Sequence, residues 1–261
     1  MSVIAILCIL VIVLSIIVFM VWASASIRSG VYVRAFCREK TDRKVVYLTF
    51  DDGPHPPETE RVLDVLREHG ARATFFLIGS KVSGNEAILR RMLEEGHALG
   101  LHTYSHAGTF PLLSFDKMLA DVNEGKRAVE SVAGKKISLF RPPFGVTNPT
   151  IAKVVRTLGL QTVGWDVRSF DTMFCKSSEH SCKQSGYSCK QSGHDWYVPV
   201  VERIMKQVRP GSVILLHDRL DGASGLLALL LDNLAASSYD FTCALPNTLT
   251  SSSDSSETNL S

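Results

Sequence analysis

The sequence predicts an α/β fold, a closed or nearly closed barrel of parallel strands that follows one apolar N-terminal helix. Short runs of strand-forming residues alternate with longer helical patterns, which is typical of βα units and a parallel sheet. About seven such strands are present, and barrels are common in chains of this length, 261 residues.

The N-terminal segment is apolar enough to span a bilayer. Between residues 3 and 23 the only polar residue is Ser15, so the segment lacks the polar face of a soluble helix. We expect residues 1–25 to be a retained transmembrane anchor. A cleaved signal peptide is the alternative, because Ala-Ser-Ala at 23–25 fits a cleavage site. The length of the apolar run and the lack of a preceding Lys or Arg favour the anchor.

The distribution of charge and the expected function predict opposite orientations for this anchor. We interpret residues 26–44 as a juxtamembrane linker, and its basic residues would place the following domain in the cytoplasm under the positive-inside rule. The function argued below places the same domain outside the cytoplasm. The basic residues are Arg28, Arg34, Arg38, Lys40 and Arg43.

Hydrophobic periodicity and turn residues place the elements of the domain in order along the chain. Strands are predicted at 45–50, 73–78, 98–101, 137–140, 161–165, 212–216 and 239–242. Helices are predicted at 58–69, 85–95, 115–132, 149–158, 198–208 and 225–235.

The composition is that of an ordinary globular domain, with 45% hydrophobic and 21% charged residues. The formal net charge is +2, so charge alone implies no acidic polymer as a partner. The basic residues form no stripe interleaved with aromatic residues, and we therefore expect no nucleic-acid binding.

Chemically reactive residues collect at the carboxyl ends of the predicted strands. That edge is where sites assemble in parallel α/β folds. The first strand runs into Asp51 and Asp52, whose side chains point to opposite faces and therefore have different roles. The other residues at these strand ends are His102, Arg141, Asp166 and His217.

A metal site can be built at this edge from two histidines and one aspartate. His102 and His106 are four residues apart, and Asp51 or Asp52 would supply the third ligand. A divalent cation with open positions activates water and polarises a carbonyl. The remaining aspartate could then accept the proton of water, and His217 could protonate a leaving group.

Five motifs, in order along the chain, resemble those of the polysaccharide deacetylases, also called carbohydrate esterase family four. The resemblance covers residues from about 45 to 241 and implies a distorted (β/α)7 barrel that removes acetyl groups from the sugars of chitin, peptidoglycan or xylan. We expect the catalytic domain at 45–245. The motifs are Thr-Phe-Asp-Asp-Gly-Pro at 49–54, His-Thr-Tyr-Ser-His at 102–106, Arg-Pro-Pro-Phe-Gly at 141–145, Trp-Asp at 165–166 and Leu-Leu-His-Asp at 215–218.

The resemblance assigns a catalytic role to four of these residues. Asp51 resembles the general base, and Arg141 the residue that keeps this base ionised. His217 resembles the general acid, and Asp166 the carboxylate that orients it.

The resemblance also implies the ligand set and the substrate contacts. Asp52, His102 and His106 resemble the metal ligands, with zinc expected and cobalt, nickel or iron also compatible with the donors. The backbone N–H near Phe144 resembles an oxyanion donor. Trp165 and Leu215 resemble the walls of the pocket that receives the acetyl methyl group.

A threefold heptapeptide repeat and a polar tail depart from this pattern. Residues 175–194 contain three cysteines and two histidines, which could bind a soft metal, but the seven-residue spacing is unusual for zinc and favours a loop expansion. With Cys37 and Cys243 the cysteines outside the apolar segment number five, an odd count that predicts no complete disulfide framework. Residues 246–261 are rich in Ser and Thr and predict a disordered tail.

We therefore expect a metal-dependent deacetylase with an N-acetylated glycan as substrate and the membrane as a partner. One alternative is a metal-dependent amidase or esterase that acts on a small molecule. Another is a membrane-tethered glycan-binding module without turnover.

Overall fold

The computed structural model describes residues 2–174 and 196–242. The heptapeptide repeat, Cys243 and the Ser/Thr-rich tail lie outside these described residues. The strands are β1 (Val45–Asp51), β2 (Thr74–Leu77), β3 (Ala98–Leu101), β4 (Leu139–Phe140), β5 (Gln161–Thr162), β6 (Val167–Arg168), β7 (Ser212–His217) and β8 (Asp240–Thr242).

Helices precede or follow most of these strands. They are α1 (Val3–Ala25), α2 (Glu58–Glu68), α3 (Glu86–Glu94), α4 (Phe115–Ala133), α5 (Pro149–Thr157), α6 (Tyr197–Met205) and α7 (Ala223–Ala236). A further helix begins at Asp171, and short 3₁₀ helices lie at Gly79–Lys81, Phe110–Leu112 and Pro143–Gly145.

The strands form one parallel sheet in the order β5-β4-β3-β2-β1-β7-β6. β8 pairs with the first half of β1, on residues 45–47, while β2 pairs with its last residues, 49–51. The sheet curls into a half-barrel with helices on its outer face, which confirms the predicted distorted (β/α)7 barrel. Each predicted strand has a counterpart in the sheet.

One strand of the barrel was missed by the sequence analysis. The position beside β7 is taken by β6, whose two residues, Val167 and Arg168, pair with Ile214 and Leu215. A two-residue strand shows no period-2 pattern, because a period needs several residues to appear. β4 and β5 are also shorter than predicted, since pairing ends where the chain turns into the rim loops.

The alternation of side chains along β1 separates two apolar clusters. Val46, Leu48 and Phe50 belong to the large core between the sheet and the helices. Tyr47 points to the other side, into a small cluster with Phe76, Val163 and Val213 inside the barrel. The same parity places Asp51, at the end of β1, on the inner face of the barrel.

The segment predicted as a linker packs on the open side of the barrel. Phe36 forms a parallel bridge with Val163, and its ring packs edge-on against Tyr47 at 5.6 Å between centroids. Ile27 and Val33 are 4% and 8% exposed, so they are part of the folded domain. Residues 26–44 therefore contribute to the barrel in addition to connecting it to α1.

α1 is the one helix of the described chain that is long and apolar enough to cross a membrane. It contains 23 residues, and Ser2 caps its N-terminus by accepting a hydrogen bond from the backbone N–H of Ala5. A signal sequence near the N-terminus would pass the same test of length and composition.

We predict that a soluble fragment beginning at Ser26 is more stable than one beginning at Arg38. The shorter fragment loses the buried side chains of Ile27 and Val33, each worth up to about 1.5–3 kcal/mol of the free energy of unfolding. Urea titration of the two fragments measures the difference. Equal unfolding midpoints would show that the segment before Arg38 adds nothing to the stability of the barrel.

Candidate active site

A buried ion pair fixes the carboxylate of Asp51. Nη1 of Arg141 donates to Oδ1 of Asp51 at 2.7 Å, and to Oγ1 of Thr49 at 2.9 Å. The guanidinium is fully buried and also donates to the carbonyl oxygens of Val163 and Gly164. Because every side of the arginine is engaged, Asp51 is held rigidly against a permanent positive charge.

Three side chains beside this pair are placed to bind one cation. Oδ1 of Asp52 lies 3.6 Å from Nε2 of His102 and 3.3 Å from Nε2 of His106. The three potential ligand atoms all lie within 4.8 Å of one another. The donor set of two imidazoles and one carboxylate is that of a catalytic metal site with open positions.

The protonation states of these side chains also suit a cation. Nδ1 of His102 lies 2.7 Å from the carbonyl oxygen of Arg141, which can only accept, so the lone pair is on Nε2. Burial and the neighbouring His102 lower the pKa of His106, which favours its neutral ring. Burial opposes ionisation of Asp52, but the charges that His102, His217 and His106 carry when protonated, together with the hydrogen bond from Arg219, outweigh it and lower its pKa to about 2.

Local backbone geometry turns these groups toward one another. Asp52, directly after β1, has a φ of 74°, and His106 has a φ of 48°. The loop of His106 is held by Asp121 of α4, which accepts hydrogen bonds from the backbone N–H groups of Tyr104 and Ser105. Positive φ is uncommon outside glycine, although Asp and His adopt it more readily than most residues, and the hydrogen bonds of the loop help to hold His106 in this conformation.

A second histidine–carboxylate pair lies on the neighbouring strand. His217 ends β7 and is the direct neighbour of Asp51 in the register of β1 and β7. Its Nδ1 lies 2.8 Å from Oδ1 of Asp171, and its backbone N–H donates to Oδ2 of the same residue at 2.9 Å. Burial opposes the charged ring, but the Asp171 carboxylate outweighs it, so the pKa of His217 is raised.

The site therefore holds a carboxylate fixed by arginine, a ligand triad formed by Asp52, His102 and His106, and a histidine, His217, that stays protonated to higher pH.

The comparisons with known proteins agree with this arrangement. Residues 38–163 match the family model described as polysaccharide deacetylase. The chain is 34% identical over 207 residues to a peptidoglycan-N-acetylglucosamine deacetylase of Bacillus cereus, covering 77% of this chain and 86% of the relative.

The chain belongs to the polysaccharide deacetylase family. A chitooligosaccharide deacetylase of Azorhizobium caulinodans is 33% identical over 66% of this chain and 73% of its own. The structure of a family 4 carbohydrate esterase from Streptomyces lividans, in complex with acetate, superposes with a TM-score of 0.63 at 28% identity, over 77% of this chain and 93% of the esterase. This polysaccharide deacetylase is accordingly a hydrolase of carbon–nitrogen bonds, and the resemblance seen in the sequence is confirmed.

The structure brings together most of the residues selected from the sequence of the deacetylase. Asp51, Asp52, His102, His106, Arg141 and His217 all line the same end of the barrel. The ring of Phe144 lies 5.2 Å from that of His106 and is 53% exposed, with a φ of 60°. Trp165 packs over Gly145 and lies 5.5 Å from the Arg141 guanidinium. Leu215 is on the same face of β7 as Val213 and His217, so its side chain points into the barrel.

Asp166 does not contact His217, and the sequence-based assignment was wrong in this detail. Its carboxylate accepts hydrogen bonds from Oγ of Ser212 at 3.0 Å and from the backbone N–H of Val213 at 2.9 Å. It therefore supports the start of β7, at the opposite end of the strand from His217. Asp171, at the start of the next helix, takes the predicted place beside His217.

Arg219 is a second residue that the sequence analysis missed. Its Nε donates to Oδ2 of Asp52 at 2.6 Å, which leaves Oδ1 directed at the two histidines. It comes two residues after His217, so proximity to that motif was the only signal in the sequence. The contact fixes the orientation of the carboxylate that would bind the cation.

The close approach of Asp218 explains why the first motif has a glycine at position 53. A Cβ at position 53 would collide with the Asp218 carboxylate, which also accepts from Oγ1 of Thr59 at 2.7 Å. Complete burial raises the pKa of Asp218 to about 7. This carboxyl group supports the turn after β1.

We predict that Asp171→Asn and Asp166→Asn have different effects on the pH profile. Removing the Asp171 charge lowers the pKa of His217, so the alkaline limb of kcat/KM moves to lower pH, and activity at neutral pH falls about 10²-fold or more. Asp166→Asn leaves the position of that limb unchanged. Profiles of kcat/KM against pH measure both, and the reverse result would reinstate Asp166 as the partner.

We also predict that Arg219→Ala weakens zinc binding by about 10- to 100-fold, because Asp52 loses the donor that orients it. Competition with a chromophoric chelator measures the affinity. The matched control is Arg168→Ala, an exposed arginine that packs over Phe170 instead. Equal zinc affinities in the two variants would contradict a role for Arg219.

Proposed function

We propose that this polysaccharide deacetylase removes acetyl groups from N-acetylated amino sugars of a peptidoglycan- or chitin-type glycan. The observation that carries the proposal is the adjacency of two pairs, Asp51 with Arg141 and His217 with Asp171, beside the ligand triad. Relatives named for peptidoglycan and for chitooligosaccharides support the substrate class.

Asp51 acts as the general base. Its Oδ1 accepts a hydrogen bond from the buried Arg141 guanidinium at 2.7 Å, and the carboxylate can accept a proton from a water molecule attacking the acetyl carbonyl. Oδ2 of Asp51 is directed at the triad, 3.9 Å from Nε2 of His102. The base is thus held beside the position that the attacking water would occupy.

Asp52, His102 and His106 would hold a divalent cation, and we propose zinc. Nitrogen and carboxylate donors suit zinc, and also cobalt, nickel or iron. When bound, the cation supplies Lewis-acid polarisation of the acetyl carbonyl and lowers the pKa of water.

His217 acts as the general acid. Asp171 accepts from Nδ1, so Nε2 is the nitrogen available to protonate the amine of the sugar as the carbon–nitrogen bond breaks. Asp51 and His217 are direct neighbours across β1 and β7, so base and acid reach the same tetrahedral centre. Trp165 and Leu215 enclose the acetyl methyl group, and the backbone near Phe144 provides a donor for the oxyanion.

We propose further that residues 1–25 anchor the chain in a membrane with the domain outside the cytoplasm. The substrate class supports this side, because wall glycans are extracytoplasmic. The basic residues after α1 oppose it under the positive-inside rule, which is a bias that a folded domain can override.

The experiment that tests the function is acetate release by the fragment from Ser26 onward. N-acetylglucosamine oligomers and purified peptidoglycan are the substrates, with zinc and then with a chelator. We expect release that the chelator abolishes and zinc restores. No release from either substrate, with zinc demonstrably bound, would favour a small-molecule amide or ester, or binding without turnover.

We predict that Asp51→Asn removes turnover but leaves zinc bound, whereas His106→Ala loses zinc. The first variant changes only the base, and the second removes one of three ligands. Zinc content after dialysis at low free zinc, measured beside acetate release, separates the two effects. Full activity of Asp51→Asn would contradict its role as the base.

A further inference from the structure

The end of α1 is hydrogen-bonded to the barrel at one point. The carbonyl oxygen of Ser24 accepts from the backbone N–H of Thr147 at 2.9 Å, and that of Ala23 accepts from the Thr147 hydroxyl at 3.3 Å. Within α1, which is described in full, Ala23 is the only buried residue. The helix therefore leaves the domain at Thr147 and projects away from it.

Thr147 lies on the catalytic rim, the end of the barrel where the strands end and the candidate active site is found. It belongs to the loop that follows β4 and also carries Arg141 and Phe144. Two residues lie between Phe144 and Thr147, so the three steps span at most about 11 Å, and the ring of Phe144 packs on His106. The ligand triad is thus on the order of 20 Å from the point where the apolar helix joins the domain.

Two exposed apolar side chains lie near this point. Leu112 is 85% exposed, in the short helix after β3, and Asn148 next to Thr147 donates to the carbonyl oxygen of Pro111 at 2.7 Å. Phe144, on the same rim, is 53% exposed. Large apolar side chains in water are unfavourable but suit the boundary between lipid headgroups and acyl chains.

Exposed basic side chains follow on the chain. Arg28 and Arg34 lie directly after α1 and are exposed. Basic residues close to a membrane are attracted to anionic headgroups. The apolar helix leaves the domain beside exposed apolar rim residues, and exposed arginines follow it on the chain. These are together the features of a surface that lies against a bilayer.

We propose that the catalytic rim of this deacetylase faces the bilayer, and that its substrate is an N-acetylated saccharide attached to a membrane lipid. The inference rests on the proposed deacetylase function and on retention of α1. A saccharide on a lipid headgroup lies within the short distance between bilayer and ligand triad. Glycan deep in a polymer wall would have to enter the gap between rim and membrane.

Two measurements on the full chain in liposomes test this. The first is the membrane depth of a spin label, attached through a ketone-bearing amino acid at position 112 so that the native cysteines stay unlabelled. Position 136 is the control, because Lys136 is exposed just before β4, at the opposite end of the barrel. We expect oxygen to relax the label at 112 more than a water-soluble nickel complex does, and the reverse at 136.

The second measurement compares kcat/KM for an N-acetylglucosamine oligomer linked to a diacyl lipid in the same liposomes with kcat/KM for the free oligomer. We expect a preference of about tenfold or more for the lipid-linked form. Leu112→Gln should reduce that preference severalfold while turnover of the free oligomer stays unchanged.

The outcomes separate the two proposals. A label at 112 that reports water, as at 136, overturns the orientation whatever the activity. Lipid contact at 112 with equal turnover of the two oligomers overturns the substrate assignment and leaves the deacetylase function standing. Lipid contact without turnover of either oligomer, with zinc bound, overturns the deacetylase function and with it the substrate.

Discussion

The buried pair of Arg141 and Asp51 is the interaction on which the site depends. The guanidinium is fully buried and packs 4.1 Å above the ring of Phe76. Its own backbone carbonyl orients His102, so one residue positions both the proposed base and a proposed metal ligand. Removing either partner would leave an uncompensated buried charge, which is among the most destabilising changes in a protein interior.

The parallel register of β1 and β7 converts this pair into a reaction centre. Cα partners in the ladder include Asp51 with His217 and Thr49 with Leu215. Because side chains alternate along a strand, these four residues project into the barrel while their neighbours fill the outer core. The catalytic groups therefore gain their positions from the same hydrogen bonds that form the sheet.

Outer contacts complete the geometry of the side chains that react. Asp171 holds His217, Arg219 holds Asp52, and Asp121 holds the loop of His106. Each of these carboxylate or guanidinium groups forms a hydrogen bond that restricts the side chain or loop it contacts. Such support is what keeps a site within the narrow tolerances that catalysis requires.

The sequence by itself determined the fold class, the metal-binding motifs and the residues at the strand ends. These are local signals, because period-2 and period-3.6 patterns and short motifs are written in adjacent residues. It also assigned Asp51 and Arg141 to a common site through the family resemblance. In the structure Nη1 of Arg141 lies 2.7 Å from Oδ1 of Asp51, which agrees with that grouping.

Only the tertiary structure decided which carboxylate meets His217, which arginine meets Asp52 and where α1 joins the barrel. Asp166 and Asp171 are five residues apart on the same short segment, and both are acidic, so sequence alone does not separate them. The separation comes from β6, whose pairing with β7 directs Asp166 to the start of that strand and Asp171 to its end. Contacts between residues distant along the chain depend on the register of strands, and the register exists only once the sheet has formed.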